Sequence, residues 1–280
     1  MTEFDGLPVL RDPVAIAAFE GWNDAADAAS AAVDHLDVAW DARHVASLDP
    51  EEYYDFQVTR PILTHDSEGG RHLEWPTTRF LVASPPGAGR DVVLIRGIEP
   101  SMRWRSYCGE ILEVCHALEV NRVVLLGALL ADVPYSRPLP VSGHTTDPTV
   151  QDRLRLVRSR YEGPVGIVGV LHDAGQRADL DMLSFWVHVP HYAGTPPCPK
   201  ATLALLHRVE EALDLPVPVA DLAEESAAWE ERVRSSVEQD EELAEYVREL
   251  ERRAGEPRLH EATGDELASE FERYLRRRRE

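Results

Sequence analysis

A chain of 280 residues, 44% of them hydrophobic, is long enough for one large α/β domain with an appendage or for two domains, and too apolar for wholesale disorder. Its formal net charge of −21 repels nucleic acid and anionic lipid, so neither is expected as a partner. Lys200 is the only lysine, which rules out a Gly-Lys-Ser/Thr phosphate loop, and three cysteines without paired spacing argue against a disulfide framework or a zinc site.

The opening MTEFDGLPVLRDP is acidic and has no long apolar segment, so no signal peptide is expected. The longest apolar run, Val123 to Ala131, is too short to span a bilayer, and a cytoplasmic protein follows as the expectation. Val14 to Phe19 is a continuous apolar run, as in a strand covered on both faces. The turn after it, EGWNDAAD, has one glycine and carries Glu20, Asp24 and Asp27 at the helix start, where a phosphate would be repelled. Gly21 is expected to make the tight turn and Asn23 or Asp24 to cap the helix from Ala25 to Leu36, whose six alanines suit close packing.

Val45 to Pro61 and His72 to Trp75 break the pattern and read as an excursion over one edge. Strands are predicted at Phe80–Ala83, Val92–Ile95, Val123–Leu126 and Val165–Val170, and helices at about Tyr107–Leu118 and Pro148–Arg160. Cys108 and Cys115, seven apart, share a face of the first of these helices as core residues. Ser184 to Tyr192 is an aromatic-rich strand or loop. Its His188 and His191 are spaced for a helical zinc site, but Pro190 opposes a helix. Cys198, between prolines, lacks the helix N-terminus that would activate a thiol.

From Leu215 the composition turns charged. Asp221–Glu224 reads as a capping box, and Leu222, Trp229, Val233 and Val237, then Leu243, Val247 and Leu250, form apolar stripes. Asp265 is expected to cap a last helix striped by Leu267, Phe271 and Leu275, with Arg276–Arg279 as its cationic end. The expected division is an α/β core over 1–215 and a helical extension over 216–280. Strands alternating with helices imply a mostly parallel sheet with helices on both faces.

Ligands of such sheets bind beyond the carboxyl ends of the strands. The residues there are Glu20, Trp22, Asn23 and Asp24, then Arg96 and Glu99, then Asp132 and Arg137, then His172. As a small-molecule site, Arg96 or Arg137 would clamp an anion while Asp132 or Glu99 moved a proton. The plainer reading is that these groups satisfy loops and one another, and it is favoured. No complete catalytic constellation, cofactor motif or metal site is assigned.

The ordered set FEGWNDAADAAS, LDPEEYYDFQVTRP, GIEPSMRW, LLGALLADVPYSRPLPVSG, SFWVHVPHYAGTPPCPKATLALL and GDELASEFERYLRRR resembles the bacterial branch of the proteasome assembly chaperone family, over Val9 to Arg278. The resemblance implies a core related to the nucleoside phosphorylase/hydrolase fold, a helical C-terminal extension, a cytoplasmic location and self-assembly, a trimer being one form. Eukaryotic relatives hold proteasome subunits during ring assembly, and the bacterial branch has no settled activity. The hydrophobic-Tyr-any ending by which eukaryotic chaperones dock is absent from Arg-Arg-Arg-Arg-Glu280, and the acidic first turn argues against inherited phosphorylase chemistry. The leading expectation is a non-enzymatic protein-binding or assembly factor with a proteasome-related partner. The alternative is an enzyme or sensor for an anionic or nucleoside-like ligand at the strand-end rim.

Overall fold

The computed structural model describes residues 6–66, 69–156 and 161–254. β1 (Val14–Glu20) leads through a 3-10 turn (Ala25–Asp27) into α1 (Ala28–Ala39). β2 (Arg43–Ser47), β3 (Ile62–His65), β4 (Arg71–Glu74), β5 (Arg79–Ala83) and β6 (Val92–Ile98) precede α2 (Trp104–Ala117). β7 (Arg122–Ala131), β8 (Val141–Thr145), α3 (Pro148–Arg153) and α4 (Ile167–Arg177) lead to β9 (Asp181–Pro190). α5 (Pro199–Leu213), α6 (Leu222–Glu238) and α7 (Glu241–Ala254) follow.

Seven strands form one sheet in the order β2-β5-β6-β1-β7-β9-β8. β6, β1, β7 and β9 pair in parallel, while β5 and β8 run antiparallel to their neighbours, so the sheet is mostly parallel. The two-residue period of β1 divides it between two cores. Val14, Ile16 and Ala18 join α1 and α5, whereas Ala15, Ala17 and Phe19 join α2 and α4. That double burial is why the run is apolar at every position. Ala28, Ala29 and Ala32 have no exposed surface, and the Ala28 carbonyl accepts the Thr202 hydroxyl of α5 at 3.3 Å, so the alanines let α1 approach both β1 and α5.

Several expectations are corrected. Val165–Val170 is not a strand: Gly166 caps α4, and Ile167, Val168 and Leu171 bury one helical face. Its β-branched residues favour a strand locally, but tertiary contacts override that preference. Val45 lies inside β2, an edge strand of the sheet, rather than over it, while His72 lies in a separate β3–β4 hairpin. α3 ends at Arg153, before Arg155, whose φ of 52° is left-handed. The Asp221 side chain makes no capping bond; Asp240 caps instead, accepting from the Glu242 and Leu243 amides at 3.1 Å and dividing α6 from α7. Leu222, Trp229, Val237 and Val247 join the α1–α5 core. The stripe at 267–275 and the arginines at 276–279 lie outside the described residues. No helix among the described residues is long and apolar enough to cross a membrane.

Gly127 of β7 is matched to Trp186 of β9, for a Cβ at 127 would lie 2.6 Å from the indole ring. Gly127→Ala should therefore destabilise the fold by about 1–3 kcal/mol, read as a lower urea midpoint at unchanged m-value.

Candidate functional site

At the carboxyl end of β1 the chain turns through Gly21, whose φ of 116° needs a residue without a side chain. A Cβ there would lie 3.2 Å from Glu99 Cβ, so the turn also seats against the loop after β6. Trp22 is half-buried beside it. Asn23 is only 1% exposed; its backbone carbonyl takes the Ala128 amide of β7 at 2.8 Å, and its side-chain amide donates to Glu99 Oε1 at 2.8 Å. The same Glu99 oxygen accepts the Ile167 amide, the first of α4, at 2.9 Å. A carboxylate of the protein itself thus sits where an anionic ligand would meet that helix. Among the described residues Asn23 Oδ1 has no hydrogen-bond partner, and a Cβ on Gly166 would lie 2.1 Å from it, so a side chain at 166 would displace the Asn23 amide.

Asp24 turns the other way. Its carboxylate accepts the Ala29 and Ser30 amides at 2.6 and 3.1 Å and so closes the start of α1, which begins at Ala28 with Asp27 in the cap position rather than at Ala25 as expected. It reaches past Ala26 and Asp27, both left-handed, and so takes the α1 amides that a phosphate would need. Arg96 is held between two carboxylates: Nη2 lies 2.6 Å from Glu20 and Nε 2.8 Å from Asp34 of α1, with Nη1 on the Gly97 carbonyl. Its side chain is 12% exposed. Burial opposes the charge, but the Asp34 hydrogen bond and the Asp34 and Glu20 charges outweigh it and raise the guanidinium pKa.

Glu20, Trp22, Asn23, Asp24, Arg96 and Glu99 therefore converge, with their charged members committed to one another or to backbone. The other candidates stand apart. Asp132 is exposed at the end of β7, 3.2 Å from His191 Nδ1. Arg137 is exposed on the loop that follows. His172 does not follow a strand; it lies inside α4, buried against His144 of β8 with ring centroids 5.0 Å apart.

Over the ends of β7 and β9 lie α6 and α7. Lys200 Nζ bridges the Tyr135 carbonyl and Glu230 of α6, both at 2.5 Å; Ser136 donates to Glu251 of α7; and the Tyr246 ring stands 5.6 Å from His191 and 6.1 Å from Tyr192. Tyr135 is buried under this cover. Asp34, Lys200 and Glu230 were missed because their partners are far away in sequence; only Gly166 gave a local cue, as a glycine opening an amphipathic run.

Cys198 does stand at a helix N-terminus, that of α5, contrary to expectation. Burial nevertheless pushes its thiol up to about 11, and the thiols of Cys108 and Cys115 to about 12, so none is an available thiolate near neutrality.

Comparison with known proteins adds the decisive observation: the family model described as PAC2 family matches residues 18–237. The chain belongs to the PAC2 family. No curated protein matches it. A PAC2 family protein from Streptomyces avermitilis is 52% identical, with 84% of this chain and 100% of that one covered at a TM-score of 0.80. A Mycobacterium tuberculosis proteasome-assembly chaperone homologue is 50% identical, covering 84% and 99% at a TM-score of 0.77. A Pyrococcus furiosus archaeal proteasome activator, 18% identical over 84% and 98% at a TM-score of 0.67, shares the fold.

In this PAC2 protein the Glu99 contacts yield a graded expectation. Glu99→Ala strands a helix amide and the Asn23 amide and should cost about 2 kcal/mol. Glu99→Gln keeps an acceptor oxygen and should cost under about 1 kcal/mol, the charge–helix contribution. Urea titration of both variants checks the order.

His172 gives a pH dependence. Burial, followed by the neighbouring His144, lowers its pKa from 6.5 to about 4. As pH falls below 6.5 the unfolded chain takes up a proton that the folded chain refuses until about 4, so stability is lost through that window. Asp24 acts oppositely: burial raises its pKa from 3.8 to about 6, so protonation in the same range favours the fold. Relative to His172→Phe, the wild type should lose about 3 kcal/mol between pH 7 and 4, as 1.36 kcal/mol per pKa unit requires. Unfolding midpoints of the two proteins across that range check it.

Proposed function

We propose that this chain is a non-enzymatic protein-binding factor that acts on a proteasome-related partner, in the cytoplasm and as an assembly of its own copies. The observation that carries the reading is the inward commitment of the strand-end rim. Its central arginine is shared by two carboxylates, its half-buried Glu99 binds a helix amide, and a lysine and two glutamates tie the helical cover over the neighbouring strand ends. A site for a small anion needs an arginine or helix amides held open, and around the first turn Arg96 and the Ala29, Ser30 and Ile167 amides are all engaged. Membership of the PAC2 family, and 50% identity to a protein described as a proteasome-assembly chaperone homologue, support the choice of partner.

The test is affinity purification of tagged protein from its native cell, with native mass spectrometry of the eluate. A stoichiometric proteasome-related polypeptide is expected. Recovery of the chain alone, or with a bound metabolite lost on Arg96→Ala, would overturn the reading.

A further inference from the structure

On the face of the sheet opposite α1 and α5, α2 and α4 lie side by side and leave a groove between them. A cavity of about 510 Å³ there is lined by Gly109, Leu112, Glu113 and His116, which cover two turns of α2, and by Ala178 and Leu180 just past the end of α4. Gly109, Leu112, Ala178 and Leu180 make its floor apolar. Glycine weakens a helix interior relative to alanine, yet a Cβ on Gly109 would meet nothing within 4 Å, so packing among the described residues does not call for glycine there. The open space over Gly109 admits a bulky side chain from outside the two helices.

One end of the groove is acidic. Both helices run from the carboxyl ends of the strands toward the amino ends, and they close alike. The Val120 amide donates to the Cys115 carbonyl at 2.9 Å, and the Leu180 amide to the Gly175 carbonyl at 3.0 Å. Each closure sets an exposed carboxylate, Glu119 or Asp179, beside the negative end of its own helix dipole, where a cation is favoured. Among the described residues neither forms an ion pair, and Arg177 turns back to Asp173 at 3.1 Å. Read from the carboxyl ends of the strands, the groove offers apolar surface first and negative potential after it.

The chain carries one stretch in that order. Leu267, Phe271 and Leu275 recur every four residues, and Arg276–Arg279, the longest basic run of the sequence, follows at once. Phe271 and Leu275 suit a groove lined over two helical turns, and the arginines after them would meet Glu119, Asp179 and the two helix ends. These residues lie beyond the described part of the chain, which ends with α7 over the carboxyl ends of β7 and β9. The ten residues 255–264 reach about 33 Å when extended, roughly the length of β9, so the stretch can arrive at the groove from there.

We propose that residues 267–279 seat in the groove between α2 and α4 of their own chain, with Phe271 and Leu275 on the apolar floor and the arginines at Glu119 and Asp179. The seat hides Leu112 and Leu180 from other proteins until the segment leaves.

Disulfide trapping in the full chain, with oxidised glutathione, tests it. Glu113→Cys with Leu275→Cys is compared with Val38→Cys with Leu275→Cys. Val38 is 84% exposed on α1, across the sheet, and the three native cysteines are buried. Docking raises the effective concentration of one thiol at the other, so the first pair should close within one chain about tenfold faster than the second. Adding Glu119→Arg and Asp179→Arg should slow the first pair to the rate of the second. Changing all four arginines, 276 to 279, to glutamate in that background should restore it. Equal rates for the two pairs would overturn the docking. A disulfide joining two chains would overturn the own-chain seat in favour of a second copy. Charge reversal without slowing, or slowing without recovery, would overturn the charge pairing that orients the segment.

Discussion

The Glu99 carboxylate holds three parts of the chain in register. One of its oxygens accepts both the Asn23 side-chain amide, from the turn after β1, and the Ile167 amide that opens α4. A carboxylate oxygen can take two donors, and here the two belong to segments that local sequence does not connect. The contact ties the start of α4 to the turn after β1, alongside the burial of Ile167, Val168 and Leu171. The negative charge also lies at the favourable end of the helix dipole, so the bond and the field act together.

The same arrangement shapes the electrostatics of the carboxyl end. A parallel sheet ordinarily leaves helix amides and rim cations pointing into a crevice. In this chain Asp24 takes the Ala29 and Ser30 amides of α1, Glu99 the first amide of α4, and Glu20 with Asp34 closes Arg96. The acidic balance of the sequence thus enters the fold as internal partners as well as surface charge.

Much of the fold could be read from the residues. The runs from 14 to 19 in β1, 92 to 95 in β6 and 123 to 131 in β7 are apolar because helices cover both faces, and burial of that kind leaves a plain mark. β8, Val141 to Thr145, is a short edge strand containing a glycine and a histidine, and it left none. α4 was misread because Val-Gly-Ile-Val-Gly-Val suits a strand, while the group that begins the helix lies 68 residues away. The convergence of Glu20, Asn23, Asp24, Arg96 and Glu99 followed from strand order. The way they pair did not, since it depends on side-chain directions and on Asp34, a helix residue with no distinguishing neighbourhood. His172 was assigned to a strand end only because its helix had been read as a strand.

Lys200 is the single lysine of the chain, and its side chain, 13% exposed, is pinned between the Tyr135 carbonyl and Glu230. The folded protein accordingly presents no free ε-amine. An acylating reagent, or an enzyme that builds isopeptide bonds on lysine, reaches its only side-chain target when the contact between α5 and α6 opens. Covalent marking at that nitrogen would then report loss of the helical cover and spare the intact molecule.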